Sequence, residues 1–228
     1  MSRNTQSDLK TKAYVLRRTN YGEADRILNL ITPRGKISAI AKSVRKEKSR
    51  LAGGVEMFSL IEVNIHSGKG ELGVVTSSKM LKYYSNIVAD LKKMELASLI
   101  LKKISLAAEA SENEEFFTIV DETLAAIDEG APLDVVEAWF FLNLVKASGE
   151  QINLYRDTSG EKLSEDRRYS WVTADEALFE NPQGDIGADE IKIMRLMIST
   201  ELSVVLRVKD VSKMILPILR IARALGKV

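Results

Sequence analysis

The feature that most constrains the fold of this chain is a change of hydrophobic period near residue 84. Before it, short segments alternate between apolar and polar residues, the period of two that is typical of half-buried strands. Within residues 59–66, for example, Ile61, Val63 and Ile65 face one way and the residues between them face the other. After residue 84, apolar residues recur at three- and four-residue intervals, which is typical of helices. The sequence therefore predicts an α+β protein in which a strand-rich part precedes a helical part.

Turn signals divide the first part of the chain into five predicted strands. They cover residues 13–18, 25–32, 36–42, 59–66 and 71–78. Residues 67–70, with two glycines, are predicted to form the turn between the last two strands. Strands this short and this closely spaced favour a small closed or nearly closed barrel.

The second part of the chain is predicted to contain five helices. They cover residues 85–100, 114–128, 132–149, 188–200 and 210–225. The third is apolar on more than one face, so we expect it at the centre of the helical part. Asp210 is predicted to cap the last helix, and Pro217 within it predicts a kink or a break. Residues 150–187 are polar and irregular, and we expect a long excursion there between helices.

The distribution of charge changes at the same place as the hydrophobic period. Residues 1–84 contain 16 Lys and Arg against 7 Asp and Glu, a net charge of +9. Residues 85–228 contain 17 against 25, a net charge of −8. A basic part joined to an acidic part predicts two modules with different partners. We place the domain boundary between residues 82 and 83, with a basic, DNA-binding barrel before it and a helical domain after it.

Several kinds of site are excluded by residue type. The chain has no cysteine and one histidine, His66, which rules out disulfides, thiolate metal sites and cysteine nucleophiles. Neither a phosphate-binding glycine loop nor a nucleophile-elbow motif is present. Glu23 and Asp25 lie close together, but a metal-dependent nuclease needs more clustered carboxylates, so turn and strand-entry roles are expected. We therefore expect no enzymatic activity, no metal and no cofactor.

Hydropathy bears on the location of the protein. The first eight residues lack the apolar core of a signal peptide, and no apolar run is long enough to span a bilayer. The expectation is a protein of the cytoplasm, associated with the nucleoid and without membrane contact.

The densest positive charge lies between the third and fourth predicted strands. The candidate DNA-binding cations are Lys42, Arg45, Lys46, Lys48 and Arg50 in this segment, with Arg17, Arg18, Arg34 and Lys36 on the strands and turns before it. Such residues contact phosphates, and aromatic side chains beside them stack on bases. Tyr21 is the favoured aromatic, and Tyr14 and Phe58 are also available. The alternative interpretation is an adaptor whose basic face docks an acidic protein.

Three consecutive motifs in this basic part resemble the RecO family. They are residues 21–28 (Tyr-Gly-Glu-Ala-Asp-Arg-Ile-Leu), residues 32–42 (Thr-Pro-Arg-Gly-Lys-Ile-Ser-Ala-Ile-Ala-Lys) and residues 49–60 (Ser-Arg-Leu-Ala-Gly-Gly-Val-Glu-Met-Phe-Ser-Leu). The resemblance implies an OB-fold barrel followed by an all-helical domain. It also implies a recombination mediator in DNA repair that binds single- and double-stranded DNA and anneals complementary strands. The implied protein partners are RecR, single-strand binding protein and, indirectly, RecA, which the mediator helps to load.

The chain departs from the family pattern in one respect. Many members carry a four-cysteine zinc site in the segment that matches residues 156–184, and this chain has no cysteine there. We therefore expect a variant without zinc, whose excursion is held by packing. The apolar candidates for that packing are Leu154, Tyr169, Trp171 and Leu178.

The resemblance also implies a site on the helical half for the acidic tail of single-strand binding protein. An acidic ligand with an apolar tip needs cations at the rim of an apolar pocket. The predicted partner-binding cations gather towards the end of the chain: Arg195, Arg207, Lys213, Arg220 and Arg223. Ordinary solvated positions on amphipathic helices are the alternative interpretation of these residues.

Overall fold

The computed structural model describes residues 7–67, 72–110 and 113–226, and it confirms a strand-rich part followed by helices. The first part contains β1 (Ser7–Tyr21), β2 (Asp25–Thr32), β3 (Gly35–Ala41), a short 3-10 helix (Ala52–Gly54), β4 (Ser59–Ser67) and β5 (Gly73–Tyr83). The second contains α1 (Ser85–Val88), α2 (Leu91–Ala110), α3 (Glu115–Glu129), α4 (Leu133–Ala147), β6 (Tyr169–Val172), β7 (Ala177–Glu180), α5 (Ala188–Ser199), α6 (Leu202–Val205) and α7 (Val211–Leu225). Most of the predicted turn at residues 67–70 and the start of the predicted fifth strand lie outside the described residues.

The five N-terminal strands close into a barrel in the order β1-β2-β3-β5-β4. All neighbours are antiparallel except β3 and β5, which meet in parallel at Ala39 and Ile40. This five-stranded closed arrangement is the OB-fold. β1 is much longer than the six residues predicted for it, because its first half pairs with β4 and its second half pairs with β2.

The barrel interior confirms the predicted alternation. β4 alternates between buried and half-buried positions, and Ile61, Val63 and Ile65 point inwards. The barrel core as a whole consists of small and branched apolar side chains, namely Ala13, Val15, Leu28, Leu30, Ala39, Ala41, Val44, Val55, Ile61, Val63, Ile65 and Val75. These side chains, with the small ones on β1 and β3, fill the interior, so the barrel is a packed core.

Tyr14 lies where β1 changes partner. Its backbone pairs with Ile31 of β2 and also with Leu60 of β4. Its side chain is 1% exposed, and its hydroxyl shares a 2.8 Å hydrogen bond with the hydroxyl of Tyr84. The same hydroxyl donates a hydrogen bond to Oδ1 of Asp121 on α3. Burial and these hydrogen bonds raise the pKa of the Tyr14 phenol far above its usual value, so the donor stays protonated.

By its internal contacts, the chain divides into two compact units, residues 1–124 and 125–228. The first unit holds the barrel together with α1, α2 and the first part of α3. The predicted boundary between residues 82 and 83 marks the change from strands to helices, and as a functional boundary it stays a prediction.

The prediction that the third predicted helix is central to the helical part is confirmed. Eleven of the fifteen residues of α4 are buried. Its polar groups find internal partners: the Trp139 indole N–H donates to the carbonyl of Thr200 at 3.1 Å. The Asn143 amide donates to the carbonyl of Met197 at 3.0 Å. These hydrogen bonds satisfy polar groups that would otherwise be costly to bury.

The structure refines two details of the predicted last helix. Of the kink or break predicted at Pro217, no break occurs, because α7 continues from Val211 to Leu225; the kink stays a prediction. Asp210 occupies the N-cap position with a left-handed backbone, but its side chain accepts no capping hydrogen bond. Its carboxylate instead pairs with Lys213 at 2.9 Å.

The excursion, predicted to be irregular, contains a two-stranded antiparallel sheet formed by β6 and β7. Leu154, Tyr169 and Leu178 are buried there as predicted. Trp171 is half-buried, and its indole N–H is a buried donor without a hydrogen-bond partner among the described residues. Three of the four predicted apolar residues are thus buried, as packing of the excursion requires.

The side-chain oxygens of Asp157 and Asn181 organise two turns of the excursion. The carboxylate of Asp157 accepts from the backbone N–H groups of Ser159 and Glu161, each at 2.9 Å, and from the Ser159 hydroxyl at 2.7 Å. The side chain of Asn181 accepts from the N–H of Gln183 at 3.0 Å. A Cβ at Gly184 would collide with the backbone of Tyr169, so this second turn requires glycine. Hydrogen-bonded Asx turns therefore help to hold this segment.

Replacing Tyr14 by phenylalanine is expected to destabilise the first unit. The substitution keeps the ring but removes the buried hydroxyl that is hydrogen-bonded to both Asp121 and Tyr84, at a cost of about 1–3 kcal/mol. Chemical denaturation measures the change. Tyr83→Phe is the matched control, because its side chain is 45% exposed, and it should leave the free energy of unfolding unchanged. Equal stability of both variants would contradict the role assigned to the Tyr14 hydroxyl.

The Asp157 turn is expected to weaken in acid. Hydrogen bonds, first from Ser159, lower the pKa of the Asp157 carboxyl below its usual value. Its contribution is therefore present above the unfolded-state pKa of about 3.9 and is lost as the pH falls through the lower folded-state pKa. Amide hydrogen exchange at Ser159 and Glu161 measures this loss. Asp157→Ala should expose these amides at every pH, whereas Asp157→Asn should protect them without the pH dependence.

A chelator is expected to leave the melting temperature unchanged. Hydrogen bonds and packing already account for the excursion, and no thiolate exists to hold zinc. Thermal unfolding with and without the chelator measures this. Stoichiometric zinc in the purified protein, or a lower melting temperature after chelation, would contradict the prediction.

Candidate nucleic-acid interface

The basic segment between β3 and β4 is tied to the barrel at its start. The carboxylate of Asp25 accepts from the backbone N–H of Ser43 at 2.6 Å, and the N–H of Arg45 donates to the carbonyl of Ala24 at 2.9 Å. Val44, between them, is buried in the barrel core. Asp25 therefore has the structural role expected of it, holding residues 42–50, which we call the basic loop, against the turn between β1 and β2.

The basic loop presents its cations to solvent. The exposed residues are Lys42, Arg45, Lys46, Lys48 and Arg50. Among the described residues, no carboxylate lies within 4.0 Å of their charged groups; Arg45 donates to the carbonyl of Gly22 at 3.3 Å. A guanidinium bonded to a neutral carbonyl keeps its full charge. The loop is therefore a concentrated and unneutralised positive surface.

The end of the basic loop is also held. The 3-10 helix that follows it contacts β5, where the Ser78 hydroxyl donates to the carbonyl of Gly54. A Cβ at Gly54 would stand 2.8 Å from the Ser78 carbonyl oxygen, so glycine permits this close approach. The basic loop is thus fixed at both ends, which limits the entropy lost when its cations bind a ligand.

The register of the barrel places one predicted aromatic beside the basic loop. Tyr21 pairs with Asp25, whose carboxylate holds Ser43, and its side chain is 55% exposed. Tyr14 cannot serve as a stacking platform, because its ring is buried. Phe58 is half-buried and has a left-handed backbone. Tyr21 is therefore the exposed ring among the three aromatics that the sequence offered.

Two of the predicted cations lie elsewhere on the barrel. Arg34 and Lys36 are at the turn between β2 and β3, which is the opposite end of β3 from Lys42. The seven residues of β3 separate the two ends by about 20 Å. The structure therefore separates Arg34 and Lys36 from the cations of the basic loop.

Lys36 is engaged in an internal contact. Its ammonium, with the side chain 13% exposed, donates to the Ser105 carbonyl at 3.0 Å and to Glu109 at 2.7 Å on α2. This hydrogen bond lowers the pKa of the Glu109 carboxyl. Arg34 remains exposed. Lys36 therefore presents less free charge to solvent than Arg34 does, and the role of both in DNA binding stays a prediction.

Arg17 and Arg18 lie midway along the hairpin of β1 and β2, opposite Asn29 and Leu28. Arg17 is exposed, whereas Arg18 is partly buried and pairs with Glu56 at 2.6 Å. The two neighbouring arginines thus differ in how much charge they present.

Sequence reasoning missed two further cations near the basic loop. Arg26 pairs with Ala41, directly before Lys42, and is half-buried. Lys79 is exposed and follows Ser78, which contacts Gly54. Each is an isolated cation in the sequence, and only the strand register brings it close to the loop.

The cations predicted to bind a partner on the helical half are largely neutralised. Arg223 makes a bidentate pair with Glu137 at 2.6 and 2.7 Å, which raises the pKa of the guanidinium. Arg220 pairs with Asp185 at 2.7 Å, and Lys213 pairs with Asp210. The remaining two differ: Arg207 is exposed, and Arg195 donates to a backbone carbonyl and lies over a tyrosine ring. Their role in partner binding stays a prediction.

Within residues 7–67, 72–110 and 113–226, no group of three or more metal-binding side chains is present. His66 instead pairs with Asp8, 2.6 Å from Nδ1 to Oδ1. Over the same ranges, no helix has both the length and the apolar character needed to cross a membrane.

The barrel matches a known protein family. The family model described as "Recombination protein O N terminal" matches residues 6–84. The DNA repair protein RecO of Dehalococcoides mccartyi is 36% identical over 144 residues, which is 62% of this chain and 56% of that protein. That of Roseiflexus sp. is 34% identical over 167 residues, 72% of this chain and 59% of that protein.

The chain thus spans less than two thirds of the length of these two relatives. The chain covers a larger share of the DNA repair protein RecO of Alkaliphilus metalliredigens. It is 32% identical over 166 residues, 71% of this chain and 67% of that protein. The barrel, the three motifs along it and this coverage lead to one conclusion: the chain belongs to the RecO family.

Proposed function

We propose that this chain is a recombination mediator in DNA repair that binds single- and double-stranded DNA through the basic loop of its barrel. The observation that carries the proposal is the loop itself: five exposed cations that have no carboxylate partner in the part of the chain that the structure describes, on a segment fixed at both ends. The names of the relatives support a role in DNA repair. The protein acts by binding, without covalent chemistry of its own.

The chemistry of the basic loop favours contact with the DNA backbone over reading of bases. Lysine and arginine on a loop contact phosphates of any sequence, and each contact releases counterions. Tyr21, beside the loop, adds one ring on which an unpaired base can stack. Such an interface accepts both single and double strands, as a protein that brings complementary strands together requires.

The finer steps of the proposed function follow from family membership. The mediator anneals complementary strands and, together with RecR, helps to load RecA onto DNA coated with single-strand binding protein. The tail of single-strand binding protein is a proposed ligand of the second compact unit, residues 125–228, which we call the helical unit. Because Arg220 and Arg223 are paired with carboxylates, the tail would have to compete with Asp185 and Glu137 at that surface.

The second candidate function is an adaptor whose basic loop docks an acidic protein. The same unpaired cations favour it, since they would meet carboxylates as readily as phosphates. The two functions differ in their response to DNA: an adaptor would bind oligonucleotides weakly and would not accelerate annealing. A DNA-binding measurement therefore separates them.

Neutralising the basic loop is expected to reduce the salt dependence of DNA binding. With Arg45, Lys46 and Arg50 changed to glutamine, up to three phosphate contacts are lost. The slope of log affinity against log salt should then fall by up to about 2 for single strands and about 2.7 for duplex. Fluorescence anisotropy at several salt concentrations measures this. The matched control changes Arg207, Lys209 and Lys213, which are exposed on the helical unit, and should leave the slope unaltered.

The same variants give an annealing measurement. The wild-type chain should accelerate the pairing of complementary strands coated with single-strand binding protein, and the basic-loop variant should lose most of that acceleration. A loop variant with the wild-type slope and annealing rate would place the DNA elsewhere. A wild-type chain that binds no DNA but captures an acidic protein would favour the adaptor.

A further inference from the structure

A groove in the helical unit joins an aromatic ring to two cations. It has a volume of about 660 Å³ and lies between the end of α4, the start of the excursion and the end of α5. Its lining includes Lys146, Glu150, Gln151, Tyr155 and Arg156. This is a different surface from the basic loop, and the family resemblance assigned none of these residues a role.

Tyr155 is a rigid platform in this groove. Its side chain is 62% exposed, although one face of the ring is covered by the guanidinium of Arg195, 4.6 Å from the ring centroid. Arg195 is itself fixed by two hydrogen bonds to the carbonyl of Leu154, at 2.7 and 3.1 Å. The Asn153 side chain accepts from the backbone N–H of Tyr155 at 3.1 Å. The ring is therefore held in place with its other face open.

The two cations of the groove are hydrogen-bonded to backbone carbonyl groups. Lys146 donates to the carbonyl of Ile198 at 3.0 Å, and Arg156 donates to the carbonyl of Gly160 at 2.7 Å. Both are exposed, and over the described ranges neither has a carboxylate within 4.0 Å. This sets them apart from Arg220 and Arg223 of α7, which are paired with acids. Positive charge on this unit is thus available at the groove.

We infer that the groove binds a nucleotide of single-stranded DNA, with the base stacked on the open face of Tyr155 and the flanking phosphates on Lys146 and Arg156. Stacking on an aromatic ring together with cations along the backbone is the usual way to hold single strands without sequence preference. The Arg195 guanidinium on the covered face of the ring strengthens this site, because it fixes the orientation of the ring before a base binds. The inference rests on the proposed DNA-binding function and gives it a contact outside the barrel.

The polar groups of the groove favour a nucleotide over an acidic peptide. The exposed amide of Gln151 both donates and accepts, as the edge of a base does, whereas carboxylates only accept. Glu150 in the same groove can accept a hydrogen bond from a donor on the edge of a base, such as the imino N–H of thymine, whereas the carboxylates of an acidic peptide offer no donor. The exposed apolar surface of Tyr155 is a flat ring, which suits a base better than it suits an aliphatic tip.

Photo-crosslinking locates the base directly. A short oligothymidylate carrying one 5-iododeoxyuridine is irradiated with the full wild-type chain, and the adduct is mapped by mass spectrometry. An adduct at Tyr155 supports the inference. The experiment is repeated with the basic-loop variant, in which an adduct at Tyr155 should persist, because the groove holds its nucleotide independently.

Affinity measurements on matched variants complete the test. Tyr155→Ala should weaken oligothymidylate binding about tenfold, because a base loses its stacking platform, whereas Tyr155→Phe should bind as the wild type does. Lys146→Gln with Arg156→Gln should lower the salt slope by about 1.4. The alanine variant carries little risk of misfolding, since the ring is mostly exposed.

Each remaining outcome overturns the inference in a different way. Wild-type oligothymidylate binding by Tyr155→Ala, with adducts at Tyr21 alone, would reject the groove and leave the proposed function intact. No DNA binding by the wild-type chain would reject the proposed function and the groove together. Binding of an acidic peptide that Tyr155→Ala abolishes, while oligothymidylate binding is unaffected, would assign the groove to a protein partner.

Discussion

The barrel depends on a long first strand that pairs with two neighbouring strands, and Tyr14 is the residue at which the two pairings meet. Tyr14 pairs with β4 on one side and with β2 on the other, so the strand that it occupies turns the sheet into a closed barrel. Its hydroxyl then meets Asp121 and Tyr84, which joins the closure of the barrel to a helix that comes more than a hundred residues later. Closure leaves few free strand edges, and it fixes which loops lie side by side.

The position of the basic loop follows from that closure. Because β1, β2 and β3 are consecutive neighbours, the turn after Tyr21 and the end of β3 meet at one end of the barrel. Asp25 holds this junction through the N–H of Ser43, and Val44 inserts into the core beside it. A loop fixed in this way keeps its cations on one surface, whereas a free loop would spread the same charge over many conformations.

The strands were predictable because burial of one face leaves a period of two in the sequence, as in β4. The helices were predictable because their apolar residues recur at intervals of three and four. What the sequence could not reveal was the pairing of individual residues. The alternation in residues 13–18 gives no sign that β1 serves two partners. Tyr14 looked like a stacking aromatic, and its burial depends on Asp121, a contact far away in the sequence. In contrast, the Asx turn at Asp157 could have been predicted from the sequence Asp-Thr-Ser-Gly at residues 157–160, because this composition is common in turns.

Charge shows the same difference between sequence and structure. The places where cations are dense in the sequence are not always the places where unpaired cations lie in the structure. Lys36 and Lys42 are six residues apart, yet one is bound to α2 and the other faces solvent. On the helical unit, two of the cations that stood out by their density, Arg220 and Arg223, are paired with Asp185 and Glu137. Lys146 and Arg156, isolated in the sequence, have no such partner among the described residues. The carboxylate of an ion pair offsets the charge of its cation and repels a phosphate, so unpaired cations beside a fixed aromatic ring are a stronger mark of a nucleic-acid surface than a run of lysine and arginine.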